Sequence, residues 1–361
     1  MRLVYRASIL AVLICDYAAS SISAQLVPND TYYSQYQWYS PKIGEPQAWS
    51  ISTGSPSVTV AILDTGVISY TPDLAGRILP ALSAVAGQPP FTDAWMTDTT
   101  QTGLRRHGTW VASAVAMGIN NGIGGTGVGN FSILPIRIAD DAYNIGAQDS
   151  TIANGIRMAA DNGAKVINIS YLATDYSQLD SAAAYARSKG ALTFIATGNS
   201  NGYFDLPTYS NLIFVSGTNE SDQRWSQWTT DANGVDTLVG STYGPFVDIS
   251  APASNILLAD PTTIHGYGLN SGTSFAAPMV AGAAALAWSI NPNLTPDQVE
   301  QMLYSTAVDL GDPGRDQVFG WGRLDIGAVA EAAYLTSVPE PAAWIMLVSV
   351  GIAAFLWHRR R

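Results

Sequence analysis

The sequence predicts an α/β protein built on a mostly parallel central sheet with helices on both faces. Two observations carry this expectation. Short runs rich in β-branched and other apolar residues recur along the chain, with helix-like stretches between them. Strands that are apolar almost throughout, rather than alternating, are strands buried on both faces, and that is the pattern of a parallel sheet. Between the two ends of the 361-residue chain there is also no internal repeat and no low-complexity linker, so the body reads as one large folded unit.

Each element follows in order. Ser57–Leu63 (SVTVAIL) is the first strand, and Gly108–Met117 is a helix of small residues. Phe131–Ile138 and Lys165–Tyr171 are strands on either side of the helix Ser150–Asn162. The helix Ser177–Lys189 leads to the strands Ala191–Thr197, Asn211–Ser216 and Phe246–Ser250. An Ala/Gly-rich helix then spans Ser274–Ile290, and a further helix opens at Thr295-Pro296-Asp297-Gln298. There a threonine three residues before a glutamine, with proline at the first helical position, makes a capping box. In open α/β sheets ligands bind beyond the carboxyl ends of the strands, so functional residues are sought there.

Composition narrows the function. The chain is 47% hydrophobic, 10% aromatic and only 12% charged, the wrong mixture for disorder. Its net charge is −11, and without the charged residues of the two ends (Arg2, Arg6, Asp16, Glu340 and Arg359–Arg361) the body holds 12 basic and 26 acidic residues, a net −14. A nucleic-acid reader needs a basic face, so no nucleic-acid partner is expected. With three histidines in all, His107, His265 and His358, a multi-histidine metal centre is excluded.

Both ends read as addresses. Residues 1–24 form a secretory signal: Arg2 and Arg6 open it, Ala7–Cys15 is its apolar run, and small residues lead to a cleavage position near Ser23–Gln25. The only cysteine, Cys15, falls inside it, so the mature protein has no disulfide and no thiolate nucleophile. At the other end Val338-Pro339-Glu340-Pro341 precedes the uncharged run Ala342–Trp357, and His358-Arg359-Arg360-Arg361 closes the chain. At ~1.5 Å per residue this run spans ~24 Å, and snorkelling flanks would extend it toward the ~30 Å hydrocarbon core. Positive charge beyond the span puts the C-terminus in the cytoplasm and the body outside. This tripartite tail resembles the PEP-CTERM sorting signal of bacterial surface proteins. The resemblance implies a transient anchor in the bacterial inner membrane and an exosortase-type processing enzyme as partner, with the body left at the surface or released.

Four polar residues stand where chemistry is expected. Asp64 directly follows the first strand, His107 opens the small-residue helix, Asn199 follows the strand Ala191–Thr197, and Ser274 enters the Ala/Gly-rich helix. A serine hydroxyl becomes a nucleophile when an imidazole takes its proton, and the imidazole needs a carboxylate to hold its tautomer. Donors must also await the charge that develops on a carbonyl oxygen, here the backbone N–H of Ser274 at a helix N-terminus and the Asn199 amide. Taken singly, each has an ordinary reading: a turn aspartate, a structural histidine, a serine N-cap.

Together they resemble the subtilases, the subtilisin-like serine proteases. Ala61-Ile62-Leu63-Asp64-Thr65-Gly66-Val67, Arg106-His107-Gly108-Thr109-Trp110-Val111-Ala112 and Gly272-Thr273-Ser274-Phe275-Ala276-Ala277-Pro278 match that family's three motifs, in its order. The likeness covers roughly residues 28–335, and its opening, from Pro28-Asn29-Asp30 through Pro46-Gln47-Ala48-Trp49, looks thermitase-like. It implies a subtilisin-like three-layer fold over residues 25–337, followed by a C-terminal transmembrane helix in the sorting signal 338–361. It also implies a secreted or surface-sorted serine endopeptidase acting on protein or peptide substrates, with no cofactor for catalysis. Ser274 would be nucleophile, His107 general base then acid, Asp64 its orienting partner and Asn199 an oxyanion donor. Substrate backbone would pair along Ser170-Tyr171-Leu172, where the family commonly has Ser-x-Gly, so Leu172 crowds the first specificity pocket. Asp30, Asp73 and Asn121 fall at positions resembling the family's calcium ligands, so structural Ca²⁺ is expected, although Asp73 and Asn121 equally suit ordinary turns. Only about four residues separate the signal from the catalytic likeness, so no inhibitory prodomain fits there.

Two other readings stand beside this one. Gly198-Asn199-Ser200-Asn201-Gly202 satisfies the G-x-S-x-G elbow of esterases, with His265 downstream, but an elbow must run into a helix and Pro207 follows instead. The other reading is a non-catalytic surface-binding protein on the same fold.

Overall fold

A computed structural model describes residues 25–98, 103–140, 146–230 and 234–338. The signal 1–24 and the span Ala342–Trp357 lie outside the described residues.

Eleven strands are formed among the described residues: β1 Thr59–Asp64, β2 Leu82–Ser83, β3 Ser132–Arg137, β4 Val166–Ile169, β5 Leu192–Ala196, β6 Leu212–Thr218, β7 Ser226–Thr230, β8 Asp236–Gly240, β9 Ile249–Pro252, β10 Ile256–Ala259 and β11 Tyr267–Asn270. The longer helices are α1 His107–Ala116, α2 Asp149–Asp161, α3 Tyr176–Ser188, α4 Thr273–Ile290, α5 Pro296–Ser305 and α6 Ile326–Ser337. Seven strands make one parallel sheet in the order β2-β3-β1-β4-β5-β6-β9, while β7–β8 and β10–β11 are separate antiparallel hairpins.

Period-two alternation along each buried strand divides the core into two layers. Val60 and Ile62 of β1 point into one, with Val111 and Val115 of α1, most of α4, Val299 of α5 and Val329 of α6. Ala61 and Leu63 point into the other, with Ile152 and Ile156 of α2 and Leu179 and Ala182 of α3. Helix layers on both faces of a parallel sheet are therefore confirmed, and the three-layer expectation holds.

Helix α4 runs through the centre of the first layer, packed against α1, α6 and β4, β5, β6 and β9. It is the one described helix long and apolar enough to cross a membrane, and 83% of that apolar window is buried inside the protein. Small side chains make this possible: a Cβ at Gly282 would stand 2.7 Å from Val128. The capping box at α5 is formed as expected, with Thr295 Oγ1 accepting from Gln298 N and Gln298 Oε1 accepting from Thr295 N.

Strand and helix bounds match the expected ones to within a residue or two, with one exception. β9 begins at Ile249 rather than Phe246, because Gly244–Phe246 form a turn closed by Val247 N donating to Gly244 O at 3.2 Å. Phe246 is buried nonetheless, its ring 5.1 Å from that of Phe214. Apolar burial without strand geometry imitated a strand there.

Candidate active site

The parallel order brings the carboxyl ends of β1, β4 and β5 side by side, with Asp64 ending β1, Ser170 directly following β4 and Asn199 three residues beyond β5. Asp64 is the last residue of β1 and is fully buried. Its Oδ1 accepts from Thr65 N at 2.8 Å, which fixes the carboxylate's rotation. His107 is the first residue of α1, and its Nδ1 lies 2.9 Å from Asp64 Oδ2 and 3.1 Å from Oδ1. An ionised carboxylate only accepts, so Nδ1 carries the proton and Nε2 of the neutral ring is left as an acceptor.

This approach of β1 and α1 depends on the absence of a side chain at Gly108. A Cβ there would stand 2.3 Å from Gly66 O and 3.0 Å from Asp64 Cβ. Thr65 Oγ1 tightens the junction by accepting from Gly108 N at 3.1 Å. Aromatic rings wall the imidazole: Tyr171, Phe275 and Trp110 have centroids 6.0, 6.0 and 6.3 Å from it. Burial, and then the Asp64 charge, hold the Tyr171 hydroxyl well above its ordinary range, so it stays neutral.

Ser274 is the second residue of α4, next to Phe275, which touches the imidazole wall. The N–H of a second helical residue has no carbonyl within its own helix and is free to donate outward. The Ser274 carbonyl is also unusual. Pro278, four residues on, has no N–H to give it and its ring would crowd it. The Ser170 hydroxyl, at the end of β4, supplies that hydrogen bond at 2.8 Å and itself accepts from Asn168 Nδ2 at 3.0 Å. Ser170 is thus buried and turned toward α4, so any contact with a substrate would come from the backbone of residues 170–172.

Asn199 follows β5 and is exposed. Its Oδ1 accepts from Thr273 N at 3.0 Å and Thr273 Oγ1 at 2.8 Å, and Thr273 Oγ1 in turn accepts from Gly198 N at 3.1 Å. With both bonds on the oxygen, the amide nitrogen points away, beside Gly272, where a Cβ would lie 3.3 Å from it. Leu172 lies over Gly198, its Cδ2 2.7 Å from where a Cβ would be, and remains exposed.

The structure therefore gathers Asp64, His107, Asn199, Ser170 and Ser274 at one edge of the sheet. Among the described residues no hydrogen bond joins Ser274 Oγ to His107. Thr65 and Thr273, which stand inside the matching motifs, brace these residues through their hydrogen bonds, a part the sequence alone does not reveal. The geometry agrees with the expectation against an elbow: no helix follows Ser200 among the described residues, its Oγ is bonded to Thr242 Oγ1 at 2.8 Å, and residues 204–211 are irregular. His265 sits in the β10–β11 turn.

The expected cation ligands come together at a different place. Asp73 Oδ1 accepts from Asn121 Nδ2 at 2.7 Å and from Gly118 N at 3.0 Å, and Tyr267 donates to Oδ2 at 3.2 Å. Asp30 accepts from the backbone of Asn120 and Asn121 at 2.7 and 3.1 Å. Burial pushes the Asp73 carboxyl up to about 6, and raises that of Asp30 as well. Among the described residues neither carboxylate has an ion-pair partner, and no three His, Cys, Asp or Glu side chains converge on one point.

A buried carboxylate–imidazole pair at the carboxyl edge of a parallel sheet, its histidine on a helix packed against one that carries a serine in its first turn, has the components of a serine-hydrolase class of site. Comparison with known proteins gives the family. The model of the subtilase family, Peptidase_S8, matches residues 55–322, and the chain belongs to that family. It is 40% identical over 264 residues to thermitase of Thermoactinomyces vulgaris, covering 72% of this chain and 84% of thermitase. It is 34% identical over 299 residues to subtilisin Savinase of Lederbergia lenta, covering 82% of this chain and 97% of that enzyme. A solved protease of Pseudoalteromonas arctica superposes with a TM-score of 0.66 at 28% identity, covering 85% of this chain and all of that one. The PEP-CTERM protein-sorting motif matches residues 337–361.

Proposed function

We propose that this chain is an extracytoplasmic serine endopeptidase in which Asp64, His107 and Ser274 form the catalytic triad. In the proposed reaction His107 Nε2 takes the proton of Ser274 Oγ as the oxygen bonds to a peptide carbonyl carbon, and the imidazolium is held by Asp64. The oxyanion receives the Ser274 N–H and the Asn199 amide N–H. His107 then gives its proton to the leaving amine, the C–N bond breaks, and water, deprotonated by His107, hydrolyses the acyl ester and restores the serine. Substrate backbone pairs with residues 170–172, and Leu172 above Gly198 limits the side chain accepted beside the scissile bond.

The observation that carries this reading is the buried Asp64–His107 pair at 2.9 Å, set next to the start of α4. Its test is hydrolysis of an internal peptide bond by the full chain and by the folded Ser274→Ala variant. Wild-type turnover that falls by ~10⁶ in kcat, the magnitude of the corresponding loss in subtilisin, supports it. A folded wild-type chain that hydrolyses nothing shifts the reading to a surface-binding protein.

The localisation follows from the ends. Residues 1–24 act as a secretory signal, and residues 338–361 as a sorting tail that an exosortase-type enzyme would cut at Pro339-Glu340-Pro341 after transient anchoring in the inner membrane. The sorting-motif match supports this.

Asp30, Asp73 and Asn121 fit a structural Ca²⁺. Two buried carboxylates that form no ion pair among the described residues, with Arg77 acting on Asp73 only at longer range, favour a bound cation, and the oxygen-only donor set suits calcium. Asp30, Asp73 and Asn121, the last through its amide oxygen, are the residues that would hold it. The ion would neutralise the carboxylates and tie the segment at Asp30 to the loop after α1.

A further inference from the structure

We propose that the β7–β8 hairpin and the loop after Asn199 form a docking surface for an extended, apolar segment of an unfolded protein substrate, next to the bond being cut. This rests on the endopeptidase reading of the site.

The surface is built outward from Asn199. Gly240, the last residue of β8, donates its N–H to Asn199 O at 3.1 Å and accepts from Asn201 N at 2.8 Å. The ladder continues with Tyr243 N donating to Gly202 O at 3.1 Å and Phe204 N to Tyr243 O at 2.8 Å. The hairpin is therefore fixed to the main chain of the proposed oxyanion residue.

Its register decides which side chains face outward. Trp228 stands opposite Leu238, two pairs along from Ser226 opposite Gly240. Pairs two residues apart share a face, so Trp228 and Leu238 lie on the Gly240 face, about 7 Å farther along the ribbon. The other face carries Val239, which packs on the core. Trp228 is 70% exposed and Leu238 36%, and on the adjoining loop Tyr203 is 49% and Phe204 46% exposed. Two large exposed apolar side chains paired across the ribbon, with two more on the loop bonded to it, exceed the scattered apolar residues usual at a surface. Beyond Gly240, whose edge is taken by Asn199 and Asn201, the main chain of β7 and β8 makes no hydrogen bond outside the ribbon among the described residues, so an extended chain can add to it.

An unfolded polypeptide is the occupant this surface fits. The surface is hydrogen-bonded to the main chain of the proposed oxyanion residue, an unfolded chain's chemistry suits exposed apolar side chains and free peptide groups, and the body's net charge of −14 opposes an anionic membrane.

The test measures kcat/KM of the full chain on unfolded casein and on a blocked tetrapeptide amide, and takes the ratio. In the double variant Trp228→Ser, Leu238→Ser this ratio is expected to fall about tenfold, through KM on casein. The matched variant Ile264→Ser, exposed on the β10–β11 turn, is expected to leave it unchanged. A ratio unchanged in the double variant overturns the docking surface while leaving the endopeptidase reading intact. So does a wild-type dimer in sedimentation that the double variant converts to monomer, since the occupant is then a second copy. Failure of the wild type to cut either substrate overturns both readings together.

Discussion

Ser170 and Pro278 show how single residues shape the nucleophile's surroundings. Proline at 278 removes the helical partner of the Ser274 carbonyl, and the Ser170 hydroxyl replaces it at 2.8 Å. Ser170→Ala would leave that carbonyl unpaired, at a cost of about 1–3 kcal/mol. Because the carbonyl belongs to the proposed nucleophile, kcat is expected to fall with KM little changed, and Ser170→Thr to restore it. Steady-state kinetics beside a thermal melt would check this, and full activity in the alanine variant would contradict it. The residues of the site itself were legible in the sequence, because Asp64, His107 and Ser274 each stand in a run of matching neighbours. Thr65 and Thr273 were not legible in role. Their work is done by bonds to Gly108 N, Gly198 N and Asn199 Oδ1, partners at least 43 positions away that only the folded chain reveals.

Elements were readable where local chemistry alone fixed them. The capping box names the start of α5, and uninterrupted apolar runs name β1, β3, β4, β5 and β6. The hairpins were not readable. β7, Ser226–Thr230, is polar and threonine-rich with its tryptophan turned outward, so it lacks the apolar pattern that marks a buried strand. Helix α6 was also missed, although Asp325 caps it by accepting from Ala328 N at 2.9 Å, because its Ala/Gly-rich face has little periodic contrast. The segment at Asp30 and the loop Gly118–Gly124 meet through carboxylates that neutral backbone donors only partly balance. Calcium there would stabilise the folded state by mass action, by about 2.7 kcal/mol at a hundredfold excess over Kd. Chelation is accordingly expected to lower the melting temperature of the wild type, with no shift in Asp73→Asn. An unchanged wild-type melt on chelation would remove the calcium site.

At the scale of the whole molecule, buried acids set how stability depends on pH. Glu45, in the amino-terminal helical segment, is almost fully buried, its Oε2 has no hydrogen-bond partner among the described residues, and burial pushes its carboxyl up to about 8 from an ordinary 4.5. Below about pH 4 both the folded and unfolded chains hold this proton, and the group has no effect. As pH rises toward 8 only the unfolded chain releases it, so stability falls across that window. Glu45→Gln should match the wild type at pH 4 and melt higher at pH 9, by about 2–4 °C for each kcal/mol recovered. Equal melts at pH 9 would contradict the burial argument. The two-faced packing of the sheet was the most legible global feature, since β1, β3, β4, β5 and β6 all carry it, whereas the exposed surface beside Asn199 depends on which faces the hairpin turns outward. The most direct test of the central claim is fluorophosphonate labelling of the full chain, with the modified residue mapped by mass spectrometry. Label on Ser274, lost in His107→Ala, is the predicted result. Label on Ser200, or none on a folded protein that resists the reagent with and without Ca²⁺, would contradict the Asp64–His107–Ser274 assignment.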